Sequence, residues 1–107
     1  MKNKGIILSI ILTAALGRIQ YGNHVETWYD LPMENVIERT DSDLGVSGMY
    51  SIREDGAKCY GPWIIVASHP SVPRYSFIET SLGTGIILDR HEMADKDLYD
   101  IAADWKE

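Results

Sequence analysis

Residues 64–105 read IIVASHPSVPRYSFIETSLGTGIILDRHEMADKDLYDIAADW, and the fold class turns on how this stretch is parsed. Residues 63–67 form a continuous apolar run rich in β-branched side chains, the pattern of a strand buried on both faces. Pro70 and Pro73 then impose a loop over 69–74, because proline removes a ladder donor. Residues 75–80 and 84–89 read as a hairpin around Ser81-Leu82-Gly83. The last segment fits two periods. Leu98, Ile101, Ala102 and Trp105 make a helical stripe, whereas Tyr99, Ile101, Ala103 and Trp105 alternate with Asp100, Ala102 and Asp104 as a strand would. Two of the strand-like runs carry carboxylates: Asp89 ends one, and Asp100 sits inside the next. Burying a carboxylate costs desolvation free energy, so such positions are candidates for chemistry.

Working outward, residues 24–30 alternate, with Val25, Thr27 and Tyr29 on one face and Glu26, Trp28 and Asp30 on the other, a half-buried strand. Leu31-Pro32 ends it. Met33, Val36 and Ile37 have helical spacing, which predicts a short helix over 33–39, and the polar, glycine-bearing 41–48 reads as a loop. Residues 49–53 and 57–60 form a second hairpin, turned by Glu54-Asp55-Gly56, since Asp-Gly tolerates positive φ. Many short strands separated by turn signals favour a small all-β barrel.

Length and charge bound the function. The 107 residues suit one domain, expected over 18–107. Residues 1–17 carry Lys2 and Lys4, a short apolar run and Ala15-Leu16-Gly17, the layout of a secretory signal peptide; an uncleaved anchor or a buried first strand are the other readings. Without that segment the net charge moves from -6 to -8, with 16 acids against 8 bases. An acidic chain with scattered bases is a poor nucleic-acid binder. Cys59 is the only cysteine, which excludes an internal disulfide and a multi-cysteine metal site.

Asp89 is the strongest chemical candidate: a strand-end carboxylate against apolar walls can have a raised pKa and serve as a general acid, although turn-capping aspartates also follow strands. Asp100, with acids at Asp95, Asp97 and Asp104, reads on pattern alone as part of a solvated strand face rather than as a site. His24, His69 and His91 could meet Asp89 as metal ligands, but no pair has ligand-like local spacing, and no metal or other cofactor is expected. Ser68, Ser71 and Ser81 lack a nucleophile elbow, and Gly83-Thr84-Gly85 lacks the lysine of a phosphate loop. Trp28, Trp63, Tyr60 and Tyr75 suit either a core or a sugar-stacking groove.

In order and spacing, the chain resembles the three-aspartate domain family of bacterial cell-wall proteins, which are related to the catalytic barrel of membrane-bound lytic transglycosylases. Thr27-Trp28-Tyr29 matches the family's Thr-x-Tyr strand. Val66-Ala67-Ser68-His69-Pro70 matches its Ala-Val-Asp-Pro strand end, with His69 in the place of the first aspartate. Asp89-Arg90-His91 takes the Asp-Thr-Gly place, and Tyr99-Asp100 the final Ile-Asp. The resemblance spans roughly residues 26–105 and implies a small six-stranded double-psi β-barrel with one short helix, the 99–105 segment being a strand. It further implies an exported, monomeric protein of the cell envelope acting on peptidoglycan glycan strands. Asp89 would be the general acid/base that leaves a 1,6-anhydro product, with Asp100 and His69 in support and Thr27, Tyr29, Tyr75 and His91 binding substrate. The alternatives are a barrel that only binds glycan or a protein partner, and a hydrolytic glycosidase using Asp89 with Asp100.

Overall fold

A computed structural model describes residues 18–93 and 95–104; the expected signal segment and Trp105 lie outside the described residues. The molecule is mostly β with one helix. In chain order the elements are β1 Ile19–Tyr21, β2 His24–Tyr29, α1 Glu34–Leu44, β3 Tyr50–Ile52, β4 Lys58–Tyr60, β5 Trp63–Ser68, β6 Phe77–Thr80, β7 Gly83–Arg90 and β8 Leu98–Ala102. No helix among the described residues is long and apolar enough to cross a membrane.

The described residues contain eight strands rather than the expected six, and they form a mixed, open sheet rather than a closed barrel. Its path runs β1-β2-β8-β5-β4-β3, with β7 branching from β5 and β6 pairing with β7. The pairs β2–β8 and β5–β7 are parallel, and the others are antiparallel. The continuous apolar run becomes β5, the hub of the sheet. It pairs with β4, β7 and β8, and Ile65 and Val66 are fully buried. A strand with neighbours on both edges and side chains on both faces must be apolar throughout, and this is what its sequence signals.

Each face of the sheet has its own core. On one, Ile65, Ile86, Leu88, Tyr60 and Ala102 pack with Met33 and Val36, so this face lies beneath α1. On the other, Ile64, Val66, Ile87, Ile101, Cys59 and Ala57 pack with Trp28, Val72 and Tyr99 around them. Close approach of β5 and β7 requires Gly85: a Cβ there would lie 2.7 Å from Val66 Cγ2 and 3.3 Å from the Ile64 carbonyl oxygen.

The helix extends past residue 39 to Leu44 and absorbs part of the expected loop. Two of the acids that made this segment look like a loop are held by tyrosines of other elements. Tyr60 donates to Asp41 at 2.6 Å, and Tyr75 donates to Asp43. Gly45, at φ 70°, ends the helix in the left-handed conformation, with its N–H on the Asp41 carbonyl. Strand β6 changes the other way and is shorter than expected. Residues 75 and 76 leave the expected strand because Tyr75 sits at φ 71°, which cannot continue a ladder. The C-terminal ambiguity resolves to a strand, since β8 is inserted between β2 and β5, where backbone pairing is available on both sides.

Candidate functional site

The parallel crossings bring four residues into one row across β7, β5, β8 and β2. Ala67 on β5 is the register partner of Asp89 on one side and of Asp100 on the other, and Asp100 is in turn the partner of Thr27. The two carboxylates thus start from Cα atoms about 10 Å apart, two interstrand spacings, with Ala67 between them in the row. A β-bulge contributes to the aim: the register shifts between Val66 and Ala67, so that Val66 faces Ile87 while Ala67 faces Asp89, leaving Leu88 as the extra residue.

Strand β2 supplies a donor to each carboxylate. Thr27 Oγ1 donates to Asp100 Oδ1 at 2.8 Å, and Tyr29 Oη donates to Asp89 Oδ2 at 3.2 Å. Residues two apart on a strand share a face, so one Thr-x-Tyr segment can serve both acids. Asp89 Oδ1 also accepts from the Arg90 backbone N–H at 2.9 Å. Both aspartates are half-buried.

Electrostatics separate the members. Burial raises the Asp100 carboxyl above the usual range, and the nearby Asp89 charge adds to this; the Thr27 hydrogen bond and His91 pull the other way. Burial, then the charge and hydrogen bond of Asp89, hold the Tyr29 hydroxyl far above an ordinary phenol, so it remains a donor. Arg90 is pushed down by burial and by the charges of Arg74 and Arg39, which places three guanidinium groups near the β7 end of the row.

The other expected site residues have their hydrogen-bond partners outside the row. His69 turns back on its own loop: its Nδ1 accepts from the Ser71 N–H at 3.0 Å and lies 2.8 Å from Ser71 Oγ, and no hydrogen bond joins it to Asp89. His91 is buried. Its Nε2 donates to the Leu98 carbonyl at 2.6 Å and its Nδ1 accepts from the Met93 N–H at 3.3 Å, which ties the end of β7 to the start of β8. Tyr75 is engaged with Asp43 on the helix. The His69 and His91 rings lie 6.3 Å apart, and among the described residues no group of three or more His, Cys, Asp or Glu side chains could hold a metal ion.

Sequence reasoning passed over two features. Glu26, read as the polar face of a strand, is fully buried and accepts from the Ser81 N–H at 2.9 Å, from Ser81 Oγ at 2.5 Å and from His24 Nε2 at 2.8 Å. The arginine group draws one member each from the helix, the loop before β6 and the end of β7, so no local pattern could announce it. A groove of about 550 Å³ lies elsewhere, against the start of α1; Met33, Ile37, Ile52, Lys58 and Asp104 are among its walls, and none of Thr27, Tyr29, Asp89 and Asp100 lines it.

Comparison with protein-family models, curated proteins and solved structures found no match to this chain.

Proposed function

We propose that this chain is an exported, monomeric protein of the bacterial cell envelope that cleaves peptidoglycan glycan strands in the manner of a lytic transglycosylase, using the Asp89–Asp100 pair. The observation carrying this reading is that Thr27 and Tyr29, matched to one family motif, each donate to one of the two aspartates matched to two others. Residues from three separate stretches meet in one row. The parallel pairs β2–β8 and β5–β7 are compatible with double-psi connections, which form part of the proposal.

The raised pKa of Asp100 supports giving it the acid role that the resemblance assigns to Asp89. In this scheme the Asp100 proton goes to the leaving glycosidic oxygen as the bond from the anomeric carbon breaks. The muramoyl 6-hydroxyl then bonds to that carbon and returns its proton to Asp100, leaving a 1,6-anhydro end. Asp89, oriented by Tyr29 and the Arg90 amide, faces the positive charge that develops at the anomeric carbon.

The test is digestion of purified peptidoglycan followed by mass spectrometry. Wild-type protein is expected to release anhydro-muropeptides, Asp100→Asn to release none, and Asp89→Asn to retain a small residual rate. Reducing ends in place of anhydro ends would convert the assignment to a hydrolase. A second reading, a glycan- or protein-binding domain without turnover, is favoured by the location of the described groove away from the row. Wild-type protein that binds glycan without releasing product, with affinity unchanged in both variants, would establish it.

A further inference from the structure

Three of the chain's five arginines gather at the end of β7, although the protein is acidic overall. Arg39 reaches from α1 and donates through Nη2 to the Leu88 carbonyl at 2.5 Å. Arg90, two residues beyond Leu88, donates through Nη1 to the Val72 carbonyl at 2.5 Å and lies 3.4 Å from Ser68 Oγ. Arg74 follows Val72 by two positions and donates to no described residue. The Nε atoms of Arg39 and Arg74 are buried without a hydrogen-bond partner. All three side chains are half-buried, and no ion pair among the described residues includes any of them.

This arrangement is costly as it stands. Arginine does not lose its proton, so like charges persist, and each buried unpaired N–H forfeits its bond to water. The other described bases that the structure pairs, Arg53 and Lys58, each have an aspartate. Here, among the described residues, the acid whose charge offsets that of Arg90 is Asp89. The turn that presents Arg74 is itself strained. Tyr75 adopts φ 71°, a conformation that costs about 1–3 kcal/mol for a bulky residue and is retained mainly where surrounding contacts or function demand it. It is held there by its N–H on the Ile87 carbonyl and its hydroxyl on Asp43. Fork-shaped donors left unspent, converging from three elements beside a half-buried site, fit an anion with two or more oxygens.

We propose that Arg39, Arg74 and Arg90 form a binding site for a carboxylate or phosphate group at the β7 end of the Asp89–Asp100 row. A ligand anchored there by its oxyanion lies beside Asp89 whether or not the row breaks a bond, so the site stands independently of glycan cleavage. Its ligands are then anionic small molecules or the anionic substituents of a larger one, which a site built from neutral sugar contacts alone would not select.

The test is thermal and magnetic-resonance titration of the purified full-length protein with inorganic phosphate, acetate and lactate, against sodium chloride at matched ionic strength. A saturable rise in melting temperature, with shifts of the Arg39 and Arg74 Nε–H resonances, is expected from phosphate or from the carboxylates. The more effective of the two arms identifies the class of oxyanion. An equal response to chloride would overturn the site. Arg74→Gln is expected to raise the melting temperature in chloride, because it relieves repulsion, and to weaken oxyanion binding at least about tenfold, the loss of one charge-assisted contact. Arg74→Lys keeps the charge but not the fork, and should weaken binding without raising the melting temperature. If Arg74→Gln lowers the melting temperature in chloride, or if both variants titrate like wild type, the proposal fails. Neither result bears on the release of anhydro products, so failure here is distinct from failure of the cleavage assignment.

Discussion

Strand β2 carries a carboxylate network on each face, and the two are opposites. On one face Glu26 is fully buried and accepts from Ser81 twice and from His24 once, so its charge is saturated. On the other, Thr27 donates once to the half-buried Asp100, whose carboxyl is raised by burial and by Asp89. Depth of burial alone would rank Glu26 as the more unusual acid. Hydrogen-bond satisfaction reverses that ranking, because a fully solvated-by-protein carboxylate is structural, whereas an under-satisfied one beside another acid has a proton affinity that chemistry can use.

Removing the saturated acid should have the larger consequence. Glu26→Ala leaves the Ser81 amide, the Ser81 hydroxyl and His24 without their acceptor, and is expected to cost about 3 kcal/mol, a fall in melting temperature on the order of 10 °C or more. Denaturant unfolding measures it. A cost below about 1 kcal/mol would show that Glu26 is no better held than Asp100, and the contrast would vanish.

Thr27→Val probes the under-satisfied side. It removes the only side-chain donor to Asp100 among the described residues with little change in volume, and should cost about 1–2 kcal/mol near neutral pH. Because the Thr27 bond is one of the influences holding the Asp100 pKa down, that pKa should rise further in the variant. Carbon-detected titration of the Asp100 carboxyl would read this directly, and an unmoved titration would detach Thr27 from the pair.

The smallest effect has the opposite sign. A carboxyl whose folded pKa exceeds its unfolded one binds its proton more tightly in the native state. The stability it contributes is complete below the unfolded pKa and is lost as pH rises through the folded one. Asp100→Asn removes the ionisation while retaining an acceptor for Thr27. It should therefore be more stable than wild type near neutral pH, by under about 1 kcal/mol, with the gain disappearing in acid. Melting curves across pH distinguish this from a uniform offset, which would mean that ionisation of Asp100 carries no folding cost.

Much of the fold is legible locally. The run at 64–67 declares β5 because a hub strand must be apolar on both faces, and the alternation at 24–29 declares β2. The short, largely exposed β1 gives no such signal. The length of α1 was hidden for a different reason: Asp41 and Asp43 look like loop residues until Tyr60 and Tyr75 reach them from elsewhere. In the site, Asp89 and Asp100 stand out as carboxylates in apolar surroundings, and the resemblance supplies Thr27 and Tyr29. What could not be read is the pairing: Tyr29 with Asp89, and His69 with Ser71 rather than with Asp89.

Sequence alone determined the kinds of element, the apolar positions that make the two cores and the acidic balance of the chain, because hydrophobic period, turn chemistry and charge act over a few residues. Tertiary structure decided which acids are saturated and which are open, and it gathered three arginines that the chain keeps far apart. The deciding hydrogen bonds join residues 55, 60 and 73 positions apart. Their geometry is set by the register of two parallel strand pairs and one bulge, and register is a property of the assembled sheet that no local pattern encodes.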